Sequence, residues 1–163
     1  MDSLRIAERL EAIYPEPSMH LDTGLHRESA AIVFELSWLV FPDMLHLLPK
    51  EILNERSASW FAEDRKRRWG ITLDELAEKN GGEKAWASAV PVMTRLKAFL
   101  TENKRDQGPF ILGSTPSYGD LYIIALFQAA EVVSKGMYEK IVGFDQAFRD
   151  LHEAGRKWTL KVD

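Results

Sequence analysis

Large aromatic side chains recur on segments with helical spacing: Trp38, Phe41, Trp60, Trp69, Trp86, Tyr118, Tyr122 and Phe127. Rings of this size do one of two things. They fill a core, the usual fate of any single one, or they wall a concave site that grips an apolar ligand. Groups for bond-breaking chemistry are scarcer. The chain has no cysteine, which excludes disulfides, thiolate metal sites and a cysteine nucleophile. No nucleophile stands beside a base, and no pair of carboxylates is spaced for acid–base work. A P-loop and a dinucleotide fingerprint are both missing. His20, His26 and His46 are too unevenly spaced for two to sit one helical turn apart and share a metal, so they read as helix-surface residues. A repeated Glu-x-x-His pair, as in di-iron bundles, does not occur.

Charge narrows the partners. The run Arg65 to Arg68 could hold an anion or nucleic acid, but the chain carries a formal net charge of -4. A nucleic-acid grip needs basic surface that displaces counterions. The run therefore reads as a solvated helix face. At 163 residues the chain is long enough for one domain with a real core. No run is read as a membrane span, and the N-terminus has no apolar signal core. These features predict a cytoplasmic protein with neither nucleic acid nor membrane as partner, and the cysteine-free composition suits a reducing compartment.

The elements that must position these residues are helical. Period-two alternation is almost absent, so the binary pattern predicts an all-α bundle of roughly seven helices. Leu121 to Val133 is apolar nearly all round, interrupted by Gln128 and Glu131, which predicts a central helix buried on every side over about 117–134. Ser117 and Asp120 form the N-capping box that opens it. Before it come an amphipathic helix over 2–15 stopped by Pro15, a linker over 16–21, and a long helix from Asp22 to about Leu48. Ala30, Val33, Phe34, Ser37, Trp38, Phe41 and Leu45 mark one face of the long helix, with Pro42 placed to kink or break it. Gly70 ends the next helix, and Thr72 with Glu75 caps a short one. Glu83 to Asn103 is amphipathic, with Trp86, Val90, Met93, Leu96 and Leu100 on its apolar face and Pro91 inside it. Shorter helices follow over 137–142 and 144–154.

The phrase from Phe110 to Val133 joins an apolar lead-in, Gly113, a turn, Ser117-x-x-Asp120 and a greasy helix. It resembles the signature of the glutathione transferase C-terminal domain. Residues 2–15 look like the last helix of that family's thioredoxin-like domain, which divides the chain into a remnant helix (1–15) and a helical domain (16–163). Phe61, Arg65, Trp69 and Gly70, ahead of the capped short helix, are similar to the fungal etherase-like branch.

The resemblance implies several things. Asp2 and Ser3 would bind the γ-glutamyl end of glutathione, since a hydroxyl and a helix N-terminus suit a carboxylate while an acid suits an ammonium. Trp38, Phe41, Tyr118 and Tyr122, with Trp60 and Trp69 behind them, would form the apolar wall of an electrophile site. The thioredoxin-like domain that carries the catalytic residue is not in this sequence. The leading expectation is thus a helical domain that binds hydrophobic small molecules or a protein partner, as a homodimer or against a thioredoxin-like domain, without transferase activity of its own. The alternatives are a piece of a transferase that conjugates or reductively cleaves apolar electrophiles such as aryl ethers, and a pocket reused for isomerisation or cyclisation.

Overall fold

A computed structural model describes residues 3–159. The order is α1 (Ser3–Ile13), a 3₁₀ turn, α2 (Leu25–Glu51), α3 (Glu55–Trp69), α4 (Leu73–Asn80), α5 (Gly82–Glu102), α6 (Tyr118–Val133), α7 (Lys135–Ile141), a second 3₁₀ turn and α8 (Gln146–Thr159). The described residues contain no strand, only an isolated bridge between Phe110 and Gly113. The all-α expectation holds.

The core forms where α2 and α5 pack against α6, with α7 and α8 closing the far side. Ile32, Leu36 and Val40 from α2 meet Leu96 and Leu100 from α5 and Ile123, Ile124 and Phe127 from α6. α6 starts where the capping box predicts. Asp120 Oδ2 accepts from both the N–H and the hydroxyl of Ser117 at 2.7 Å, and Oδ1 accepts from the Ile111 N–H at 2.8 Å. One carboxylate therefore caps the helix and ties down the loop that precedes it. Burial pushes the Asp120 carboxyl above its ordinary value, against the opposing pull of these donors.

Four expectations need correction. First, α6 is not buried on every side. Ala125, Ala129 and Val132 form an exposed strip at helical spacing. Small side chains there cost little to leave in water, so apolar content overstated burial. Second, α2 turns a different face inward. Its buried residues include Ser29, Ile32, Leu36, Val40 and Leu45, whereas Phe34 and Trp38 stay 70% and 66% exposed. Both flanks of this helix are apolar, so periodicity could not choose between them. On α5, likewise, Val90 faces water and Ala89, Val92 and Phe99 join the core.

Third, α2 is not broken at Pro42: it runs on through Pro42 and Pro49, as α5 does through Pro91. Packing along both helices outweighs the missing N–H groups, although Pro42 still withholds the donor that the Trp38 carbonyl would meet in a regular ladder. Fourth, by length and composition α2 is long and apolar enough to cross a membrane, contrary to the expectation that no run is. Its packed flank instead makes it the spine of the bundle, with α3, α4, α5 and α6 all against it.

Candidate functional site

The aromatic residues divide into two groups. Along α2 and across to α3, rings follow one another. Phe34 stacks on Trp38 at 6.3 Å and 19°, Trp38 on Phe41 at 5.7 Å and 10°, and Phe41 meets the edge of Trp69 at 6.4 Å. Residues 34, 38 and 41 are three and four apart, so one helix face carries the first three. Gly70 ends α3 in a left-handed conformation, φ 74°, immediately after Trp69.

Trp38, Phe41 and Trp69 wall a cavity of about 670 Å³ between α2, α3, α4 and the start of α5. Trp38, Phe41, Pro42 and Trp69 form the apolar side. Glu78, Lys79 and Lys84 also line it, carried by the corner where α4 passes into α5. That corner is fixed across the chain. Asp43 of α2 accepts from the Gly82 N–H at 3.0 Å and from the Trp86 indole N–H at 2.8 Å, which caps α5 with a side chain from another helix. Thr72 and Glu75 supply the predicted capping box of α4. A volume of this size is within the usual range for small-molecule sites.

Tyr118 and Tyr122 lie elsewhere. They meet edge to face at 5.3 Å at the start of α6, and Tyr118 contacts His26 in the first turn of α2 at 6.2 Å. His26 and Trp38 are twelve residues apart on α2, about 18 Å along the axis at 1.5 Å per residue. The structure thus groups Trp38, Phe41 and Trp69, and separately Tyr118 with Tyr122. Trp60 is exposed on α3 and does not line the cavity. Ser3 opens α1, and Asp2 lies outside the described residues. Trp86 holds Asp43 and carries the Lys140 ammonium over its ring at 4.7 Å, while Phe127 is wholly buried.

The charged residues are more organised than the sequence suggested. Asp64 is 3% exposed beneath its own neighbours: Arg65 and Arg67 reach its oxygens at 2.7 Å and Arg68 at 2.9 Å. Burial works against ionisation of Asp64, but hydrogen bonds and charge from Arg67 and Arg68 prevail and hold the carboxyl below its ordinary value. The Arg65 guanidinium also sits over Phe61 at 4.7 Å and Trp69 at 5.5 Å, so the basic run props up the aromatic wall.

The histidines are not all surface residues. His26 is buried, whereas His46 pairs with Asp74 at 2.6 Å. His152, absent from the expected sites, is fully buried between α6, α7 and α8. Its Nδ1 is 3.1 Å from the Tyr138 hydroxyl, and its Nε2 is 3.9 Å from Glu131. Among the described residues no cluster of His, Cys, Asp and Glu could hold a metal ion.

An all-helical bundle centred on a helix opened by a Ser–Asp capping box is the arrangement the resemblance implied. The sequence profile of the glutathione S-transferase C-terminal domain matches residues 31–149. The chain belongs to this family. The glutathione S-transferase-like protein ustS of Aspergillus flavus is 28% identical over 171 aligned positions, which cover 97% of this chain and 60% of that protein. A glutathione S-transferase of Ceriporiopsis subvermispora, solved in complex with glutathione, superposes with a TM-score of 0.73 at 24% identity. That match covers 99% of this chain and 67% of the other. Glutathione transferase GSTFuA2 of Phanerochaete chrysosporium gives 0.68 at 25% identity, over 99% of this chain and 66% of that one. The chain therefore spans about three fifths of the length of ustS.

Proposed function

We propose that this glutathione transferase-like helical domain binds flat apolar small molecules in the cavity walled by Trp38, Phe41 and Trp69. The observation that carries the reading is the convergence of these rings, from two helices, on one cavity while large parts of them stay accessible. A core would have hidden them, whereas an accessible concave ring surface favours a planar guest. Tyr118 and Tyr122, beside the first turn of α2, stand apart from this cavity. Binding without transferase activity is the role this reading assigns to the chain alone. The cysteine-free composition agrees with a cytosolic setting.

A second reading, that the domain works as part of a whole transferase, is favoured by α1. This helix buries none of its residues and leaves Ile6, Leu10 and Ile13 exposed on one side. A partner domain of thioredoxin type would cover that face, and Asp2 with Ser3 would then lie at the junction to meet glutathione. In that setting the cavity would hold the apolar electrophile, an aryl ether for example. A homodimer is the other arrangement that would cover exposed apolar surface.

Calorimetric titration tests both readings. A naphthalene-type ligand should bind the chain, with affinity reduced about tenfold or more in Trp38→Ala, in line with loss of a central aromatic contact. Equal binding by the variant would sink the cavity reading. Reduced glutathione binding to the chain alone, below millimolar Kd, would restore a transferase-like role to Asp2 and Ser3.

A further inference from the structure

The chain has three asparagines, and the structure holds them differently. Asn54 caps α3, its side-chain oxygen accepting from the Ser57 N–H at 2.9 Å, and a glutamate follows it. Asn103 donates its side-chain amide to the Phe99 carbonyl at 2.9 Å, and a lysine follows it. Asn80 ends α4 exposed, its amide makes no hydrogen bond among the described residues, and a glycine follows it.

Glycine is required at 81. A Cβ there would collide with the Asp43 carboxylate and with the Ala77 carbonyl oxygen, so the tight corner between α4 and α5 admits no other residue. The same requirement leaves the Gly81 nitrogen unhindered beside a free asparagine amide. Asparagine is a thermolabile residue, and its breakdown needs only that nitrogen and water. The nitrogen gives up its proton and attacks Asn80 Cγ. The N–Cγ bond forms, the Cγ–Nδ2 bond breaks and ammonia leaves. Water then opens the five-membered imide at one carbonyl or the other, which yields aspartate or isoaspartate with nothing oxidised or reduced.

We propose that Asn80–Gly81 is a site of spontaneous deamidation that the Asp43 carboxylate holds in check. The Gly81 N–H donates to the Ala77 carbonyl at 2.8 Å, which keeps its proton engaged. Asp43 accepts from the next N–H, that of Gly82, at 3.0 Å and 3.2 Å. Attack on Cγ therefore waits until the last turn of α4 opens. Either product puts a carboxylate at the negative end of the α4 dipole. Isoaspartate also adds a methylene to the backbone between α4 and Gly81, so the corner is looser after the reaction than before. The chemistry is independent of whether the neighbouring cavity takes a ligand.

A peptide of residues 76–86 serves as the unprotected reference. Peptide and chain are kept in warm, mildly alkaline buffer. Conversion at residue 80 is read by mass spectrometry as a gain of one mass unit, with the aspartyl and isoaspartyl forms separated by chromatography. The folded chain should convert at least about tenfold more slowly than the peptide, the factor that about 1.4 kcal/mol of local opening supplies. Asn54 and Asn103 should keep their amides meanwhile. Asp43→Ala should speed conversion about threefold or more, in line with loss of a hydrogen bond, and Asn80→Gln should stop it. Amide hydrogen exchange at Gly81 and Gly82 measures the open fraction without any variant. The chain's rate should match the peptide's rate multiplied by that fraction, and this comparison decides the matter if Asp43→Ala does not fold. Conversion of Asn54 or Asn103 ahead of Asn80, or none at Asn80 over the time its open fraction requires, removes the site. A chain that converts as fast as the peptide, or a folded Asp43→Ala chain no faster than the parent, removes the role of Asp43.

Discussion

At the scale of single residues, Asp120 has three bonds to lose. Its carboxylate receives two backbone N–H groups and one hydroxyl, all in fully or nearly fully buried surroundings. Truncation would leave those donors without acceptors, and an unsatisfied buried donor costs about 1–3 kcal/mol. Asp120→Ala should therefore destabilise the domain by about 2–4 kcal/mol. For a chain of this size that lowers Tm by roughly 5–15 °C, readable by calorimetry. A change below about 1 kcal/mol would mean that the loop and the helix are held by something other than this carboxylate. The importance of Asp120 to the helix start was legible in the sequence because a capping box is local, within four residues. Its bond to the Ile111 N–H was not legible, because nothing in the spacing of Ile111 and Asp120 requires the loop to fold back.

At the scale of elements, α6, α7 and α8 meet at His152. Tyr138 from α7 and Glu131 from α6 face its two ring nitrogens, and Arg156 and Glu153 from α8 stand nearby. Arg156 engages Glu131 at 3.0 Å and Glu153 at 2.7 Å, which competes with any pairing of Glu131 to a charged imidazole. Burial lowers the His152 pKa; Glu131 and Glu153 oppose the shift, while Arg156 adds to it. The unfolded chain then binds a proton more readily than the folded one, so stability rises with pH. The loss begins as pH falls through the unfolded value near 6.5 and is complete below the folded value, with a slope of at most about 1.4 kcal/mol per pH unit. His152→Gln should flatten that part of the stability–pH curve, measured by urea melts between pH 8 and pH 5. An unchanged slope in the variant would place the titration elsewhere. The sequence concealed this cluster because its members come from three helices. It concealed the facing of α2 for a different reason, since a helix apolar on two flanks gives periodicity nothing to choose between. The aromatic wall was half legible. The ring types and the helices that carry them could be read, but that α3 and α4 fold back to set Trp69 beside Phe41 could not.

At the scale of the whole molecule, the domain has a dense centre and a loosely held start. The core is drawn from α2, α5, α6, α7 and α8 together with the loop at Phe110 to Leu112, and α1 contributes nothing to it. α1 is tied to the linker that follows by the bond from the Ser18 hydroxyl to Glu11 at 2.7 Å. The next anchor is the Tyr118 N–H, which donates to the Met19 carbonyl at 2.8 Å and lies beyond α1. Stability follows buried apolar area and satisfied buried polar groups, and α1 supplies little of either. A chain that starts at Glu16 should therefore keep its cooperative unfolding, with Tm within about 4 °C of the parent, a change of roughly 1 kcal/mol. Its denaturant m-value should hardly change, because little surface is newly exposed on unfolding. A fall of more than about 10 °C, or loss of cooperativity, would show that α1 is part of the folding unit. If the shortened chain melts like the parent, the apolar side of α1 is free for the contact that the second reading proposes.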